Sequence, residues 1–141
     1  MIRKWMAGES TTVACKGYRI LSGGSASPDS RGWYRLEKSA GFYRGAVDRF
    51  TGTPHDIRGE LRLQYGDRHC RMMVTYVGPL FYGLMQGSGR MVWPCGTIYK
   101  GSFRDGCRHG SGLLILPDGQ EVWLDYDRGS EIYAFSDRTP V

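Results

Sequence analysis

The sequence has no long hydrophobic run. None of its apolar stretches approaches the roughly 20 residues that a membrane-spanning helix needs. The N-terminal segment Met1–Met6 is short and is soon followed by polar residues, unlike a secretory signal. No segment shows the helical periodicity and capping residues of an amphipathic helix. These absences exclude a helical membrane protein and a helical bundle, and they favour an intracellular chain.

Cysteine is scarce, with four residues in the whole chain. Without a secretory signal we expect them to be reduced. If the chain forms hairpins, Cys95 and Cys107 lie near opposite ends of one strand. At roughly 3.3 Å per residue they would then be tens of ångströms apart, too far for a disulfide. We expect Cys15 and Cys70 to be small buried apolar residues and not nucleophiles.

Catalytic and cofactor motifs are also missing. The segments Gly87–Gly89 and Gly110–Gly112 lack the preceding strand, the following helix and the Lys-Ser/Thr pair of a phosphate loop. No histidine is placed in a pattern that indicates a catalytic triad. The residues that could be grouped into a metal site lack the spacing of zinc ligands: His69, Cys70, Cys107 and His109. The sequence therefore predicts a non-enzymatic protein with no catalytic, metal or cofactor-binding residues and no small-molecule substrate.

The charge is biased towards the basic side. Nineteen Lys and Arg against 14 Asp and Glu give a net charge of +5. The basic residues are scattered, and no run exceeds Arg3-Lys4, which is typical of a solvated surface. The excess nevertheless favours an acidic partner, which would be an acidic protein, an anionic lipid or a nucleic acid.

Glycine, in contrast, is abundant, and its positions repeat. Tyr76 and Tyr99 lie 23 residues apart, and the residues that follow them align almost one for one. Glycine or proline coincides at these pairs: Gly78 and Gly101, Gly83 and Gly106, Gly87 and Gly110, Gly89 and Gly112, Pro94 and Pro117, Gly96 and Gly119. A fixed period of this length indicates a repeat architecture, which builds a surface before it builds an active site.

Each repeat contains two alternating segments and a tight turn. In Tyr99–Arg104 every second residue shares a face, the period of a half-buried strand. Asp105-Gly106 has the residue types of a tight hairpin turn, and Gly112–Leu116 is the returning strand. The glycine that opens this return strand leaves room for the tyrosine ring of the outgoing strand, or it simply ends the turn. The sequence leaves both explanations open.

Weaker copies of the pattern extend the array in both directions. We predict about five hairpin units over residues 18–129, degenerate over 18–75 and clear over 76–129. An N-terminal cap segment over 1–17 and a C-terminal tail over 130–141 flank them. One step between units is longer, and its extra residues indicate loops or longer strands: Thr51–Asp56 and Arg68–Met73. The predicted fold is all-β, an elongated antiparallel meander of stacked β-hairpins that forms an open single sheet.

The segment Tyr99–Gly119 resembles the MORN repeat family. The matching positions are Tyr99, Gly101, Phe103, Gly106, His109, Gly110, Gly112, Pro117 and Gly119. The preceding unit departs from the pattern at Leu80 and Gln86. The clear resemblance spans about residues 76–129. It implies an elongated twisted sheet with an interaction or scaffolding role, since MORN proteins occur in axonemal radial spoke heads and other ciliary and cytoskeletal assemblies. They also occur in junctional membrane tethers and beside lipid kinase domains.

From these observations we predict a structural or adaptor protein of the cytoplasm or cytoskeleton, most specifically of a ciliary or flagellar axoneme. Its partners are expected to be proteins in a multi-subunit assembly. One alternative is a peripheral membrane module that binds anionic phospholipid or tethers a membrane. Another is a subunit of an organelle complex, which only the basic N-terminus indicates. Nucleic acid is disfavoured because the aromatic residues share the glycine-containing face, which the repeat uses for its own packing.

Two groups of side chains are candidates for partner contact. Aromatic residues can anchor a partner chain, and the candidates are Tyr76, Trp93, Tyr99, Phe103, Trp123 and Tyr126. Trp123 differs from the rest because it alternates onto the face opposite Val122 and Leu124. A basic outer row could meet an acidic protein or lipid headgroups, and it comprises Arg90, Lys100, Arg104 and Arg108.

Overall fold

The computed structural model describes residues 16–22, 27–66 and 71–132. Within these residues the chain forms β-strands, one short 3₁₀ helix and no α-helix. The strands are β1 (Trp33–Arg35), β2 (Gly41–Arg44), β3 (Val47–Asp48), β4 (Thr53–Pro54), β5 (Asp56–Gly66), β6 (Arg71–Phe81), β7 (Leu84–Met85), β8 (Gly87–Val92), β9 (Ile98–Arg104), β10 (Cys107–Ile115), β11 (Glu121–Asp127) and β12 (Ser130–Ile132). The 3₁₀ helix Glu37–Ser39 joins β1 to β2.

Ten of these strands form one open antiparallel sheet. Its order is β1-β2-β5-β6-β8-β9-β10-β11-β12, and β7 pairs with β6. Strands that follow one another in the chain are mostly neighbours in the sheet, so the all-β meander of hairpins is confirmed. The expectation of a single sheet needs one correction, because β3 and β4 form a separate two-stranded sheet. Asp48 closes the turn of this small hairpin by accepting hydrogen bonds from the backbone N–H and the hydroxyl of Thr51.

The longer step between units has two physical causes. The β3–β4 hairpin occupies part of the extra sequence. The other cause is length, since β5 and β6 have 11 residues each, whereas β8 has six. Of the extra residues, Arg71–Met73 thus belong to a longer strand, and Thr51–Asp56 lie in the β3–β4 hairpin and at the start of β5. Residues 67–70 lie outside the described residues.

Three tight turns recur at the same end of the sheet. Their central residues are Tyr82-Gly83, Asp105-Gly106 and Arg128-Gly129. In each turn both residues have positive φ, at 50° and 83°, 51° and 87°, and 50° and 88°. This is the type I′ geometry whose twist matches that of paired strands, and glycine at the second position adopts it without steric cost. The predicted turn at Asp105-Gly106 is confirmed.

The turn glycines also connect neighbouring units. The N–H of Gly106 donates to the carbonyl of Met85 at 3.0 Å, and the N–H of Gly129 donates to the carbonyl of Arg108 at 2.8 Å. The residue after each acceptor then reaches the same turn with its side chain. Gln86 Nε2 donates to Asp105 Oδ1 at 2.8 Å. The spacing of 23 residues is therefore also the spacing of a repeated contact between successive hairpins.

The core lies on the face that carries the repeat glycines. Gly59, Gly78, Gly89, Gly101 and Gly112 form a row across the sheet, which we call the glycine row. A Cβ on Gly89 would lie 2.6 Å from Tyr76 Cε1, and a Cβ on Gly59 would lie 2.9 Å from Tyr43 Cε1. Neither glycine has a positive φ. Room for the tyrosine ring, and not a turn, is therefore the reason for glycine here.

The two ends of the array lie partly outside the described residues. The predicted N-terminal cap over 1–17 falls outside them up to residue 15, and the predicted tail falls outside them from residue 133. Tyr18 and Ile20 are buried, and the N–H of Tyr18 donates to the carbonyl of Gly83 at 3.0 Å. At the other end β12 continues the sheet three residues into the predicted tail.

Candidate interaction surface

Five of the six predicted partner-binding aromatic residues belong to the core. Their exposed fractions are 0% for Tyr76, 2% for Trp93, 0% for Tyr99, 3% for Phe103 and 2% for Tyr126. The expectation that these side chains present a docking surface therefore needs correction. Because they alternate onto the face that carries the glycine row, their rings fill the interior.

The buried rings hold neighbouring hairpins together. Phe103 of one unit packs edge-on against Tyr76 of the preceding unit, with ring centroids 5.0 Å apart. Tyr126 repeats the arrangement against Tyr99 at 5.6 Å. Such aromatic pairs add roughly 0.5–1.5 kcal/mol beyond their buried area. The aromatic positions of the repeat thus have a structural role in joining the units.

The phenol groups of the repeat tyrosines are satisfied locally. Tyr76 Oη donates to the carbonyl of Pro79 at 2.7 Å, and Tyr99 Oη donates to the carbonyl of Ser102 at 3.2 Å. Burial raises the pKa of both phenols far above the usual value of a tyrosine, because the charged form would lose its hydration. These tyrosines are therefore neutral hydrogen-bond donors in the fold.

Arg108 does not belong to the outer basic row. Its side chain is only 1% exposed, and its guanidinium carbon lies 4.7 Å from the ring centroid of Tyr126 and 5.6 Å from that of Tyr99. The sequence contained the signal for this placement. Arg108 is an even number of residues from Gly112 and Leu114, the spacing of side chains that share a strand face. The shift in register between Arg108 and Gly112 leaves all three on the buried face. The prediction of an outer position was wrong, and cation–π contacts with the buried rings replace contact with a partner.

Trp123 takes the orientation that alternation predicts. Its side chain is 53% exposed, whereas Leu124 beside it is 2% exposed. Among the aromatic candidates it alone lies on the outer face of the sheet, the face opposite the glycine row. Its contact with a partner stays a prediction.

Two neighbouring rows of side chains cross the strands on the outer face, and Trp123 is the last residue of one of them. The register pairs Arg90 with Lys100, Lys100 with Leu113, and Leu113 with Trp123. We call these four residues, on β8, β9, β10 and β11, the charged row. Register partners point to the same side of a sheet, so the row presents two cations, a leucine and a tryptophan in sequence.

The second row lies two residues along the same strands. Val92 pairs with Ile98, and Ile98 pairs with Ile115. We call these three residues the apolar row; all three are partly exposed. Glu121, which is exposed, ends the row on β11. Our interpretation of the sequence missed the apolar row, although its residues alternate with buried ones and could have been found by the period of two.

The two cations of the charged row lie opposite each other, and no residue in the described part of the chain supplies a counter-ion. Arg90 and Lys100 are both exposed and directly opposite, an arrangement that is unfavourable for like charges. Neither forms an ion pair within residues 16–22, 27–66 and 71–132. Arg104 is also exposed, four residues further along β9. Three of the four predicted basic residues therefore remain available at the surface.

His109 and Cys107 lie at the end of the sheet that carries the tight turns, whereas Cys95 lies in the turn between β8 and β9 at the opposite end. His109 Nδ1 accepts a hydrogen bond from the N–H of Arg128 at 3.1 Å, so it contacts the turn of the next hairpin. Cys95 is exposed and free, whereas Cys107 is disulfide-bonded. The expectation that these two do not bridge each other is confirmed, but the expectation of a fully reduced chain is not met at Cys107.

Two absences concern only the described part of the chain. No group of three or more His, Cys, Asp and Glu side chains is placed to hold a metal ion there, and His69 and Cys70 fall outside it. No helix in that part is long and apolar enough to cross a membrane.

Comparison with known proteins identifies the repeat. The MORN repeat family matches residues 76–97 and 99–121. A segment of 73 residues, 51% of this chain, is 36% identical to the human ALS2 C-terminal-like protein. A segment of 58 residues, 41% of the chain, is 35% identical to the ALS2 C-terminal-like protein of Bos taurus. The chain covers only 8% and 6% of the length of these two relatives.

The matched residues coincide with the hairpins described above. The first match contains most of the β6–β8 hairpin, and the second contains β9 from its second residue and all of β10. MORN repeats are generally modules for interaction with proteins or membranes. Residues 76–97 and 99–121 of this chain are therefore two tandem MORN repeats.

Proposed function

We propose that this protein is a non-enzymatic adaptor whose repeat sheet binds another protein within a larger assembly. The observation that supports it is the placement of Trp123, which stays 53% exposed on the outer face while the other aromatic candidates are buried. Exposed tryptophan is enriched among the residues that dominate binding energy at protein interfaces. An interior role does not account for this side chain.

The assembly is proposed from the family resemblance. We infer a cytoskeletal partner, most specifically one of a ciliary axoneme, and a location in the cytoplasm or on the cytoskeleton. The test is fractionation of cells that express the tagged full chain into detergent-soluble and cytoskeletal pools. The adaptor should remain with filament proteins in the insoluble pool and co-purify with them. Release by mild detergent together with membrane proteins would contradict the cytoskeletal assignment.

A substitution at Trp123, compared with a matched control variant, tests whether this side chain anchors the partner. Replacing Trp123 with Ala should release the protein from its partners while its circular dichroism spectrum and urea midpoint stay unchanged. The control variant is Phe50→Ala, because Phe50 is 99% exposed on the turn between β3 and β4 and lies off the outer-face rows. If both variants keep their partners, Trp123 is not an anchor.

A second candidate function is a peripheral membrane module. The exposed cations Arg90, Lys100 and Arg104 favour it, since basic surfaces attract anionic lipid headgroups. Flotation with phosphatidylserine vesicles distinguishes the two functions. A membrane module floats with the vesicles at low salt and separates from them at high salt, whereas the adaptor does not float.

A further inference from the structure

We propose that the charged row and the apolar row together form the docking site of an acidic amphipathic helix. This inference rests on the proposed adaptor function and specifies the chemistry of the partner. It begins from the register, which places Arg90, Lys100, Leu113 and Trp123 side by side on four adjacent strands. Val92, Ile98 and Ile115 lie parallel to them.

The charge of the partner follows from the unpaired cations. Arg90 and Lys100 repel each other across β8 and β9, and no ion pair within the described residues relieves that repulsion. A carboxylate placed between them would interact favourably with both. Across an interface, such complementary charges provide specificity and faster association. A basic partner is excluded from this site for the same reason.

The apolar character of the partner follows from the rest of the surface. Val92, Ile98, Ile115 and Leu113 are partly exposed. Leu113 lies directly opposite Trp123, which is 53% exposed, and the apolar row runs beside them across the same strands. Covering apolar surface contributes roughly 25 cal/mol per Å² before the costs of association. The site therefore selects a segment that carries apolar side chains beside its acidic ones.

The spacing of the strands fits a helix that lies across them. Neighbouring strands are about 4.8 Å apart, so Lys100 on β9 and Trp123 on β11 are separated by roughly 10 Å. Two turns of an α-helix advance by a similar distance, about 11 Å. A helix with an acidic residue and an apolar residue seven positions apart can contact both.

The position of Glu121 predicts the orientation of the bound helix across the strands. Glu121 lies beside Trp123 on β11, at the end of the apolar row that is farthest from Arg90. An acidic residue of the partner is repelled there and attracted over β8 and β9. The acidic end of the bound helix should consequently lie over Arg90 and Lys100, and its apolar end over Leu113 and Trp123.

The test is fluorescence anisotropy of the full chain with three labelled peptides. One is an amphipathic helix whose sheet-facing side carries glutamates towards one end and apolar residues towards the other. The second has the same apolar pattern with lysine in place of glutamate, and the third is acidic without apolar residues. The first peptide should bind at least about tenfold more tightly than either of the others. Equal binding of the first two, or of the first and third, would overturn the proposal.

Charge reversal makes the test specific to the site. The variant R90E/K100E should bind the acidic amphipathic peptide about tenfold or more less tightly than the unmodified chain does. The same variant should bind the lysine peptide more tightly than the unmodified chain does. R31E/R49E changes the net charge equally at two exposed loop positions away from the rows and should have little effect. If both double variants lose the same affinity, the attraction is general and the site is not the one proposed. If R90E/K100E unfolds, R90Q/K100Q replaces it.

The remaining outcomes separate the two proposals and the membrane alternative. If Trp123→Ala loses the cellular partner but R90E/K100E keeps it, the adaptor function stands. The proposal that an acidic amphipathic helix binds the two rows is then wrong. If phosphatidylserine vesicles bind through Arg90 and Lys100 while the acidic amphipathic peptide does not bind, the surface is a lipid site and the proposal is overturned.

Discussion

The ring of Tyr99 lies over Gly112 of the neighbouring strand, so closely that no side chain fits between them. Tyr76 has the same relation to Gly89 one repeat earlier, and Tyr43 has it to Gly59. In each repeat, therefore, one strand supplies a tyrosine ring and the neighbouring strand supplies a glycine that leaves space for it. This relation explains why both the tyrosine and the glycine recur in the 23-residue period of this chain.

Substituting a glycine of the glycine row should destabilise the sheet. In Gly89→Ala the new methyl group would lie 2.6 Å from Cε1 of the fully buried Tyr76 ring, so the ring or the strand must shift. We expect a loss of about 1–3 kcal/mol in the free energy of unfolding, the typical cost of overpacking. The measurement is urea denaturation followed by circular dichroism.

The matched control for that prediction is Gly17→Ala. Its Cβ would lie 3.2 Å from the end of the Leu84 side chain and at an ordinary van der Waals distance of 3.7 Å from the carbonyl oxygen of Gly83, and its φ is not positive. Because that flexible side chain can move, the change should be close to neutral. Equal destabilisation by both variants would show that the tyrosine ring is not the cause.

Arg108 should behave as a core residue. Arg108→Ala removes a side chain that is 1% exposed, together with its contacts to the rings of Trp93, Tyr99 and Tyr126. We expect a loss of about 2–4 kcal/mol in the free energy of unfolding. Lys100→Ala, on the exposed face, should change it by no more than about 0.5 kcal/mol. An unchanged free energy of unfolding for Arg108→Ala in urea denaturation would contradict the buried position of this arginine.

The buried tyrosines should make the fold sensitive to alkali. Burial raises the pKa of Tyr76 and Tyr99 in the folded state above the value of about 10 in the unfolded chain. The stability that this difference contributes is complete below pH ~10 and is lost as the pH rises beyond it, because only the unfolded chain ionises readily. Tyrosinate absorbance and loss of circular dichroism should therefore appear together.

The control for the alkaline transition is Tyr76→Phe. It loses the hydrogen bond to Pro79, which should cost about 1 kcal/mol at neutral pH, but it removes one ionising phenol. Its loss of stability between neutral and alkaline pH should be smaller than that of the unmodified chain. An identical pH dependence would mean that Tyr76 does not contribute to the transition.

The contact between His109 and the next turn should be visible locally. His109→Ala removes the acceptor for the N–H of Arg128, so hydrogen exchange of that amide should become faster. We expect a cost of about 1 kcal/mol, confined to β11, β12 and their turn. The Gly106 amide, which donates to Met85 in the preceding contact, is the internal reference and should keep its protection. An unchanged exchange rate at Arg128 would contradict the role of His109.

The period of the sequence predicted most of the second half of the fold. The spacing of Tyr76 and Tyr99 indicated hairpins, and Asp105-Gly106 indicated the tight turn that the structure contains. The β3–β4 hairpin could not be predicted in this way, because it occurs once and depends on a local turn that Asp48 closes. A repeat pattern identifies what recurs and gives no information on a single insertion.

The candidate site was predicted less well than the fold, and for a physical reason. Composition identifies tyrosine, tryptophan and arginine as good binding residues, but the same side chains are good core residues when a face is buried. Trp93 and Arg108 were assigned to the surface and lie in the interior. Trp123 was assigned correctly to the outer face, because Val122 and Leu124 on either side of it define the buried face of β11.

The sequence by itself determined the hairpin units, their period and the positions of the tight turns, because these depend on residue spacing and on backbone conformations that glycine permits. Tertiary structure alone decided which residues of different strands are neighbours. The pairing of Arg90 with Lys100, and the line from Lys100 through Leu113 to Trp123, depend on the register of four strands. Register is fixed when tyrosine rings on one strand fit over glycines on the next, and this fit exists only in the assembled sheet.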